Sequence, residues 1–410
     1  MTKSIDSNIK TLLICGGGNG MHALVPTVAK HFDARIKIYT PFAGEAEKLN
    51  TRFDQTSGIV VTGFPEQTRS KPFLTTSDAQ EAAADVDMVL MVLPAFAHAD
   101  ILNNLAPYLT EGIRIGAMPA RSGFEYQACR ILSAQGLENF TVFGLQTLPW
   151  ACRIKAFGDE VEILGTKHSV GVAAIPKNAA TPLARLLSRM LNVKIEPMDN
   201  MLALSLANIG QIVHPGIMYG LFKDHKNSTF TEDEIPLFYQ SVNDDIAAVL
   251  QCMSDEIQLI RILLQRQMGD GIDLSKVPTL YEWLLKSYTG QIGDVSTLAR
   301  SFQTNKAYQG LKAPVRKIDQ DRYGPDFQSR YLLEDVPTGL VVSAGLARLA
   351  DVPVPTIDDV ILTTSAWMGK QYLRNGDFIG TDILQTRLPQ NFEIKDLDRL
   401  KKVVVAGLLI

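Results

Sequence analysis

The chain has 410 residues, a formal net charge of −4 at pH 7 and a pI near 5.9. Its length allows two domains with substantial cores, and its 46% hydrophobic and 20% charged residues are typical of a globular enzyme. The weakly acidic charge excludes a broad basic surface for nucleic acid or an anionic membrane, so small anionic substrates would have to be held by individual arginines.

The cysteines and the N-terminal segment indicate the compartment. Four cysteines are scattered along the chain, with neither a CxxC pair nor a histidine cluster beside them. This pattern predicts reduced thiols and no metal site. The N-terminal segment MTKSIDSNIK is polar and precedes only a short apolar run, TLLIC, which indicates a buried strand rather than a signal peptide or membrane span. The sequence therefore predicts a cytoplasmic protein without membrane or nucleic-acid partners.

Short β-like runs alternate with helical patterns through the first half of the chain. This alternation predicts βαβ units and a largely parallel sheet. Between residues 51 and 77 the helix signal fails, and Val60, Val61 and Phe64 predict a hairpin or an irregular insertion. Residues 161–165 and 169–175 predict two more strands that close this half. The earlier strands are predicted at Thr11–Cys15, Ala34–Tyr39, Gly58–Thr62, Met88–Leu93, Ile113–Met118 and Thr141–Leu145.

After about Asn200 the apolar residues take helical spacing, and no further strand is predicted. The sequence therefore predicts an α/β, Rossmann-type dinucleotide-binding domain over residues 1–198, followed by an all-helical domain over residues 199–410. The long helical patterns of this second half cover Met201–Met218, Glu234–Met268, Val336–Ala350 and Thr356–Tyr372.

A glycine-dense turn, CGGGNG at 15–20, joins the first predicted strand to the first predicted helix. In a dinucleotide fold Gly16 permits the tight turn, and Gly18 lets the pyrophosphate approach the backbone. The helix start at Asn19 and Gly20 supplies amide donors and a positive dipole end. Met21 stands where the usual motif has Gly or Ala, which predicts looser helix packing at that point.

The second predicted strand bears on the choice between NAD and NADP. It leads into Thr40, at the position where an acidic residue would hold the ribose hydroxyls, and the nearest following arginine is Arg52. Without an arginine at the strand end to bind a 2′-phosphate, the sequence favours NAD. The fourth strand runs into PAFAH at 94–98, whose Pro94 and Phe96 are expected to line the cofactor, with His98 in a structural contact rather than a catalytic role.

Three polar segments interrupt otherwise apolar stretches: 205–215, which contains Asn208 and His214, 146–153 and 325–337. A buried histidine is more often a satisfied core residue than a catalyst. Pro215 directly after His214 is expected to bend or start a helix and so direct the imidazole. Histidine is also the side chain best suited to donate and accept protons near pH 7.

With the glycine turn, these segments carry a resemblance to the octopine/opine dehydrogenases of marine invertebrates, which include octopine, tauropine, strombine and alanopine dehydrogenases. The similarity spans nearly the whole chain. The matching strings are CGGGNG at 15–20, PAFAH at 94–98, TLPWACRIK at 147–155, VHP at 213–215, PLFYQ at 236–240, PDF, RYL and ED within 325–335, and GKQYL at 369–373.

The resemblance implies an NADH-dependent enzyme that condenses pyruvate with an amino acid or taurine and reduces the resulting imine. It implies that His214 is the acid/base, and that Asp335 orients the imidazole and favours its charged form. It also implies that Arg330 holds the keto-acid carboxylate through a planar guanidinium. Further substrate contacts are expected at Arg121, Gln146, Thr147, Cys152 and Asn208.

Two positions depart from the octopine-forming members. Gln146 replaces a glutamate of that pattern, which weakens a pocket for the guanidinium of arginine. Arg121 replaces a glutamine, and a second cation could bind a carboxylate or sulfonate. A neutral or anionic amine-bearing partner such as taurine, glycine or alanine is therefore favoured, with taurine slightly ahead.

Two other functions use the same plan. A related hydroxyacid or sugar-phosphate dehydrogenase would need no amine, and a non-catalytic NAD-binding redox sensor would have no use for His214, Arg330 and Asp335 together. The sequence has no apolar stripe typical of a subunit interface, so a monomer is expected.

Overall fold

The first part of the chain alternates strands and helices. The structure is a computed structural model that describes residues 9–63 and 67–406. Phe64, which belongs to the predicted hairpin, lies outside the described residues. The strands are β1 Thr11–Cys15, β2 Arg35–Tyr39, β3 Ile59–Thr62, β4 Thr68–Ser70, β5 Leu74–Thr76, β6 Met88–Met91, β7 Arg114–Ala117, β8 Thr141–Leu145, β9 Trp150–Ala156, β10 Glu160–Thr166, β11 Ser169–Ile175 and β12 Lys194–Pro197. The helices are α1 Asn19–His31, α2 Glu45–Thr56, α3 Ala79–Ala83, α4 His98–Leu105, α5 Phe124–Ala134 and α6 Ala180–Leu191.

Compact packing divides the described residues into two units. Residues up to Leu204, together with those from Lys401, form the first unit, and Ser205–Leu400 form the second.

An eight-stranded sheet forms the centre of the first unit, in the order β12-β11-β8-β7-β6-β1-β2-β5. Neighbouring strands are parallel except β8 and β11, which pair antiparallel. All five residues of β1 are buried, as expected for a strand that packs on both faces. The chain builds outward from β1 through β2 to β5 and then returns to β6 on the other side. The carboxyl ends of β1 and β6 therefore flank the switch point where such sheets bind ligands.

Helix α1 is the central helix of this unit. It contacts both α6 and the small sheet that contains β3 and β10. Leu24 and Val28 of α1 and Leu183 and Leu187 of α6 are fully buried in the same hydrophobic cluster as the strands. The glycine turn that precedes α1 is thus attached to a helix that is buried over most of its length.

A second sheet of four strands has the order β4-β3-β10-β9. Strands β3 and β4 pair antiparallel, which confirms the hairpin predicted between residues 51 and 77. The sequence did not predict β9, because its burial alternates and the charged Arg153 and Lys155 break up the apolar pattern. Residues 150–155 of the segment TLPWACRIK therefore belong to this strand.

The second unit is mainly helical. Its elements include a short hairpin, β13 Val315–Lys317 and β14 Tyr323–Pro325, so the prediction of no further strand was wrong. Helices α7 and α15 have residues in both units. The helices are α7 Met201–Leu206, α8 Gly210–Phe222, α9 Asp244–Met268, α10 Leu280–Ser287, α11 Leu298–Gln303, α12 Arg330–Leu333, α13 Val341–Leu349, α14 Pro355–Trp367 and α15 Leu397–Ala406.

Several predicted helices differ in their limits from the observed ones. The predicted helix at 234–268 begins only at Asp244, because Pro236 lacks an amide donor and the Asn243 side chain caps the helix by accepting from Ile246 N at 2.9 Å. The predicted helix at 201–218 is two helices, α7 and α8. Residues Met201–Phe222 are long and apolar enough to cross a membrane by length and composition, but 89% of their most apolar window is buried, as in a core helix.

Glycine lets α8 pack closely against α9. A Cβ at Gly216 would lie 2.6 Å from Leu250 Cδ2, and one at Gly220 would lie 2.6 Å from Ile246 Cγ1. These distances are far below normal carbon contacts, so even a methyl group would have to displace the facing side chain.

We expect Gly220→Ala to destabilise the protein. Overpacking costs about 1–3 kcal/mol, whereas replacing glycine by alanine in a helix gains only about 1 kcal/mol. The midpoint of thermal unfolding should fall by about 2–4 °C for a net loss near 1 kcal/mol. Gly165→Ala in strand β10 is the control for an added methyl group without a clash, since no atom lies within 4 Å of its added Cβ. Adding Ile246→Ala should remove the clash, and a rise in the midpoint for Gly220→Ala alone would contradict the packing.

Candidate functional site

The glycine turn has the geometry that a dinucleotide loop requires. Gly16 has φ +114°, and a Cβ there would lie 2.8 Å from the Val92 carbonyl oxygen. Gly18 has open space where its Cβ would be, and no side chain caps the N-terminus of α1 there. Uncapped amides beside open space fit a pyrophosphate group.

Gly20 brings α1 close to the sheet. A Cβ at this position would lie 2.4 Å from Val92 Cγ1. This is the close helix–strand approach that the usual motif assigns to its third glycine. Because Gly20 supplies it, the fully buried Met21 does not loosen the packing as the sequence predicted.

Two side chains connect the glycine turn to the β9–β10 hairpin. Asn19 Oδ1 accepts from Ile154 N at 2.8 Å. His22 Nε2 accepts from Gly158 N at 2.8 Å, so its Nδ1 carries the proton and donates to Gly18 O at 3.0 Å. Burial lowers the pKa of His22, and the hydrogen bond that Nε2 accepts from Gly158 N requires the neutral ring. His22 therefore holds the glycine turn in place as a neutral linker.

The other predicted cofactor residues lie at strand ends of the large sheet. Thr40 is buried directly after β2, and its hydroxyl donates to the Glu45 carboxylate. Pro94 is half-buried after β6, whereas the Phe96 side chain is 56% exposed. His98 is buried, and its Nε2 lies 3.1 Å from Leu93 O, in agreement with the structural role predicted for it.

The predicted amine-binding residues of the first unit also follow strand ends. Ala120 N donates to Leu145 O at 3.0 Å, which brings Arg121 and Gln146 to neighbouring positions after β7 and β8. Arg121 is half-buried with φ +60°, an unusual backbone conformation for a residue other than glycine. Thr147 follows Gln146 and is half-buried. These are carboxyl ends of parallel strands, where open α/β sheets bind their ligands.

Cys152 lies in β9, beside the glycine turn. Its thiol donates to Asn19 O at 3.5 Å. Burial raises the pKa of Cys152 to about 11, against an opposing effect of Lys167. The thiol is therefore neutral at physiological pH and can act as a contact but not as a nucleophile.

In the second unit, His214 and Asp335 form a direct pair. His214 Nδ1 lies 2.6 Å from Asp335 Oδ2; the imidazole is 17% exposed and the carboxylate 1% exposed. A carboxylate accepts hydrogen bonds, so Nδ1 carries a proton and the second ring nitrogen, Nε2, is left for proton exchange. The residues are 121 positions apart in sequence.

Two tyrosines enclose this imidazole. Tyr331 stacks on the His214 ring at 4.1 Å between centroids and 8° between planes. The Tyr239 hydroxyl lies 3.4 Å from His214 Nε2. Burial, and then the neighbouring tyrosines, hold the pKa of Tyr239 well above its usual range, so its hydroxyl keeps its proton. The sequence did not assign roles to these tyrosines, although both lie in the matching strings PLFYQ and RYL.

Local backbone irregularities bring Asp335 to His214. Pro215 lies inside α8, where it removes one backbone hydrogen bond. The segment Val336–Leu340 after Asp335 is a π-helix, in which Leu340 N donates to Asp335 O at 3.0 Å. A Cβ at Gly339 of this segment would lie 2.6 Å from Gln211 Cβ. Only a glycine lets the π-helix come this close to α8.

Two further predicted substrate residues, Arg330 and Asn208, belong to the same unit as His214 and Asp335. The Arg330 side chain is 65% exposed, and its Nε lies 3.9 Å from the buried Glu334 carboxylate. It directly precedes Tyr331, which stacks on His214. Asn208 is buried at the break between α7 and α8, 3.6 Å from the position a Gly339 Cβ would take.

The candidate functional residues therefore form two separate sets, one in each unit. The first unit carries the glycine turn, Thr40, Pro94, Phe96 and the residues after β7 and β8. The second unit carries His214, Asp335, Arg330 and Asn208. Among residues 9–63 and 67–406, no group of three or more histidine, cysteine, aspartate or glutamate side chains is arranged to hold a metal ion.

Comparisons with known proteins identify the family. Residues 197–368 match the family described as NAD/NADP octopine/nopaline dehydrogenase, alpha-helical domain. The chain is 35% identical to octopine dehydrogenase of Mizuhopecten yessoensis over 94% of this chain and 97% of that protein. It is 33% identical to tauropine dehydrogenase of Arabella iricolor over 95% of this chain and 99% of that protein. The chain belongs to the opine dehydrogenase family.

The solved structures agree. An octopine dehydrogenase with NADH and L-arginine superposes with a TM-score of 0.87 at 32% identity, covering 97% of this chain and 98% of that one. Membership confirms the predicted fold class and an NAD-dependent oxidoreductase acting on CH–NH groups. It disfavours the hydroxyacid dehydrogenase and redox-sensor alternatives. The roles of individual residues and the amine substrate stay predictions.

We expect protonation of His22 to destabilise the protein in mild acid. Its folded-state pKa lies below the ordinary value of about 6.5, so below that pH the unfolded chain binds a proton that the folded protein does not. Stability is therefore complete above about pH 6.5 and falls as the pH decreases through the lowered pKa, by about 1.4 kcal/mol for each unit of lowering.

The measurement is the free energy of unfolding between pH 8 and pH 5 for the wild type, His22→Gln and His168→Gln. His168 is exposed, so its variant should follow the wild type. His22→Gln should have a smaller loss between pH 8 and pH 5. Equal losses in all three proteins would mean that His22 does not titrate differently on folding.

Proposed function

We propose that this protein joins pyruvate to a small amine by reductive condensation with NADH. The observation that supports this most is the 2.6 Å contact between His214 Nδ1 and the buried Asp335 carboxylate. The contact leaves Nε2 of the imidazole to exchange protons with substrate, and family membership supplies the reaction class.

The condensation needs a group that moves protons in both directions. The amine must lose a proton before its nitrogen attacks the keto carbon, and the resulting carbinolamine must lose its hydroxyl as water to form the imine. His214 Nε2 can accept the first proton and donate it to the departing hydroxyl. NADH then supplies the hydride that reduces the imine carbon, which yields a secondary amine.

Asp335 is proposed to keep the imidazole in one orientation and one tautomer. Its carboxylate oxygen holds the Nδ1 proton, and it stabilises the imidazolium that forms when Nε2 takes a proton. Tyr239, whose hydroxyl faces the same Nε2, is proposed to position the ring until substrate takes its place.

Arg330 is proposed to bind the pyruvate carboxylate. Its guanidinium is exposed, and its ion pair with Glu334 is long at 3.9 Å, so a carboxylate can form a shorter, bidentate contact. Asn208, Thr147 and Cys152 are proposed as neutral substrate contacts. None of these proposed contacts requires its side chain to gain or lose a proton.

The first unit is proposed to bind NADH through Gly16, Gly18, Asn19 and Gly20, with further contacts from Thr40, Pro94 and Phe96. The open glycine turn and the uncapped helix support this assignment. We propose residues 1–198 as the cofactor domain and 199–410 as the helical domain. A monomer in the cytoplasm stays the expectation from sequence.

We propose taurine, glycine or alanine rather than arginine as the amine, with taurine slightly favoured. Arg121 and Gln146 lie after neighbouring strands, and together they carry a positive charge. A cation there repels the guanidinium of arginine and attracts a sulfonate or carboxylate. Sequence identity does not decide the amine, because this chain is 35% identical to an octopine dehydrogenase and 33% identical to a tauropine dehydrogenase.

We expect His214→Ala and Arg330→Ala to damage different kinetic constants. Loss of the acid/base should lower kcat about 10²–10⁴-fold. Loss of the guanidinium should mainly raise KM for pyruvate, because it removes an interaction with the keto-acid carboxylate in both ground and transition states.

Steady-state NADH oxidation with pyruvate and the best amine measures both variants. The exposed His225 provides the control His225→Ala, which should behave as wild type. NADH binding, followed by fluorescence, should persist in every variant and so exclude misfolding. Wild-type turnover in His214→Ala would mean that another group moves the proton.

A substrate screen tests the proposed amine. With pyruvate and NADH, taurine, glycine, alanine or β-alanine should be turned over faster than arginine, and pyruvate alone should not be reduced. Gln146→Glu should raise kcat/KM for arginine and lower it for taurine, each by about tenfold for one added charge contact. Gln135→Glu, an exposed substitution with the same charge change, is the control. Arginine as the best wild-type substrate would contradict the assignment.

A further inference from the structure

A carboxylate lies close to the place where the sequence lacks one. Strand β2 leads into Thr40, a position at which dinucleotide folds that use NAD commonly have an acidic residue. Five residues later, Glu45 begins α2, and its carboxylate accepts a hydrogen bond from the Thr40 hydroxyl. Helix α2 therefore brings a carboxylate to the end of β2.

The same carboxylate lies against the glycine turn. A Cβ added to Gly17 would be 2.2 Å from Glu45 Oε2 and 2.7 Å from Oε1. Both oxygens thus face the backbone between Gly16 and Gly18, which is the part proposed to hold the pyrophosphate. In a dinucleotide the adenosine ribose is attached directly to that pyrophosphate.

The local backbone fixes Glu45 in this position. Gly44 has φ +68°, and Glu45 N donates to Phe42 O at 3.0 Å, which closes a tight turn between β2 and α2. Thr40 N donates to Thr76 O at 3.1 Å and so attaches the start of the turn to β5. Glu45 is also in the first turn of α2, a position where a helix favours an acidic side chain. Glu45 is half-buried, so one side remains accessible.

We propose that Glu45 binds the 2′- and 3′-hydroxyls of the adenosine ribose and thereby selects NADH over NADPH; this rests on the proposed use of NADH. An ionised carboxylate has two acceptor oxygens, which match two neighbouring hydroxyl donors. A 2′-phosphate would remove one donor and place its negative charge against the carboxylate. Thr40 is a positioning residue, because its hydroxyl donates to Glu45 and leaves the remaining acceptor sites for the ribose.

The test measures binding rather than turnover. Dissociation constants for NADH and NADPH are obtained from nicotinamide fluorescence, without keto acid or amine, for the wild type, Glu45→Gln and Glu47→Gln. Glu45→Gln should weaken NADH binding about ten- to hundredfold, the usual contribution of hydrogen bonds to a charged group, and should reduce the preference for NADH over NADPH. Glu47→Gln removes the same charge from an exposed position of the same helix and should leave both constants unchanged.

A modified ligand gives a second test that needs no variant. The wild type should bind 2′-deoxy-NADH about tenfold or more weakly than NADH, whereas Glu45→Gln should discriminate less between the two. Equal wild-type affinity for NADH and 2′-deoxy-NADH overturns the role of Glu45, even if Glu45→Gln fails to fold. An unchanged NADH-to-NADPH ratio in a folded Glu45→Gln protein overturns it as well.

The two proposals can fail separately. If Glu45 has no such role, the ratio of NADH to NADPH affinity is the same in Glu45→Gln as in the wild type, while the wild type still turns over pyruvate and an amine with NADH. If the proposed function is wrong, turnover is absent across the amine panel while the effect of Glu45 on nucleotide binding persists. A wild-type protein that binds neither nucleotide overturns both.

Discussion

The contact between His214 and Asp335 is the interaction on which the second unit depends. A carboxylate with 1% exposure is costly to bury unless a charged or hydrogen-bonding partner compensates for the lost water. The imidazole is such a partner at 2.6 Å. Maintaining it requires the proline inside α8, the π-helix after Asp335 and the absence of a side chain at Gly339. These features weaken regular helices, and their common result is the position of one carboxylate beside one imidazole.

In the first unit the corresponding constraint is close backbone approach. Gly16 and Gly20 leave no room for a Cβ against Val92, so β1, α1 and the strand end after β6 meet without side chains between them. Gly18 differs, because its missing side chain leaves open space. Two glycines therefore serve packing and one leaves access for a ligand. His22 then attaches the turn to the β9–β10 hairpin, because its neutral ring donates to Gly18 O and accepts from Gly158 N.

Much of the fold could be predicted from the sequence because its signals are local. Strands β1 and β8 were predicted to the residue, since an unbroken apolar run is what a strand covered on both faces requires. The limits of α9 and the hairpin β13–β14 were missed. The side chain of Asn243 caps α9 within a stretch of helix-compatible composition, so the apolar pattern alone did not mark where the helix begins. Strands β13 and β14 are three residues each, too short for a periodic pattern.

The candidate site was predictable to a different extent. His214, Asp335 and the glycine turn were found because motifs and family resemblance mark residue types. The tyrosines around His214, the neutral linker His22 and the carboxylate of Glu45 were not found. Each of them depends on a contact between distant segments or on the path of a turn. For example, no spacing in the sequence shows that Glu45, five residues after Thr40, contacts the Thr40 hydroxyl.

The environments around the site restrict which group can move a proton at neutral pH. Burial raises the pKa of Cys152 to about 11 and holds that of Tyr239 well above its usual range, so both side chains keep their protons. Burial lowers the pKa of His22, which therefore stays unprotonated on Nε2. Among these groups only His214 combines a partly exposed ring with a carboxylate that accepts its Nδ1 proton, and these surroundings support the acid/base role proposed for it.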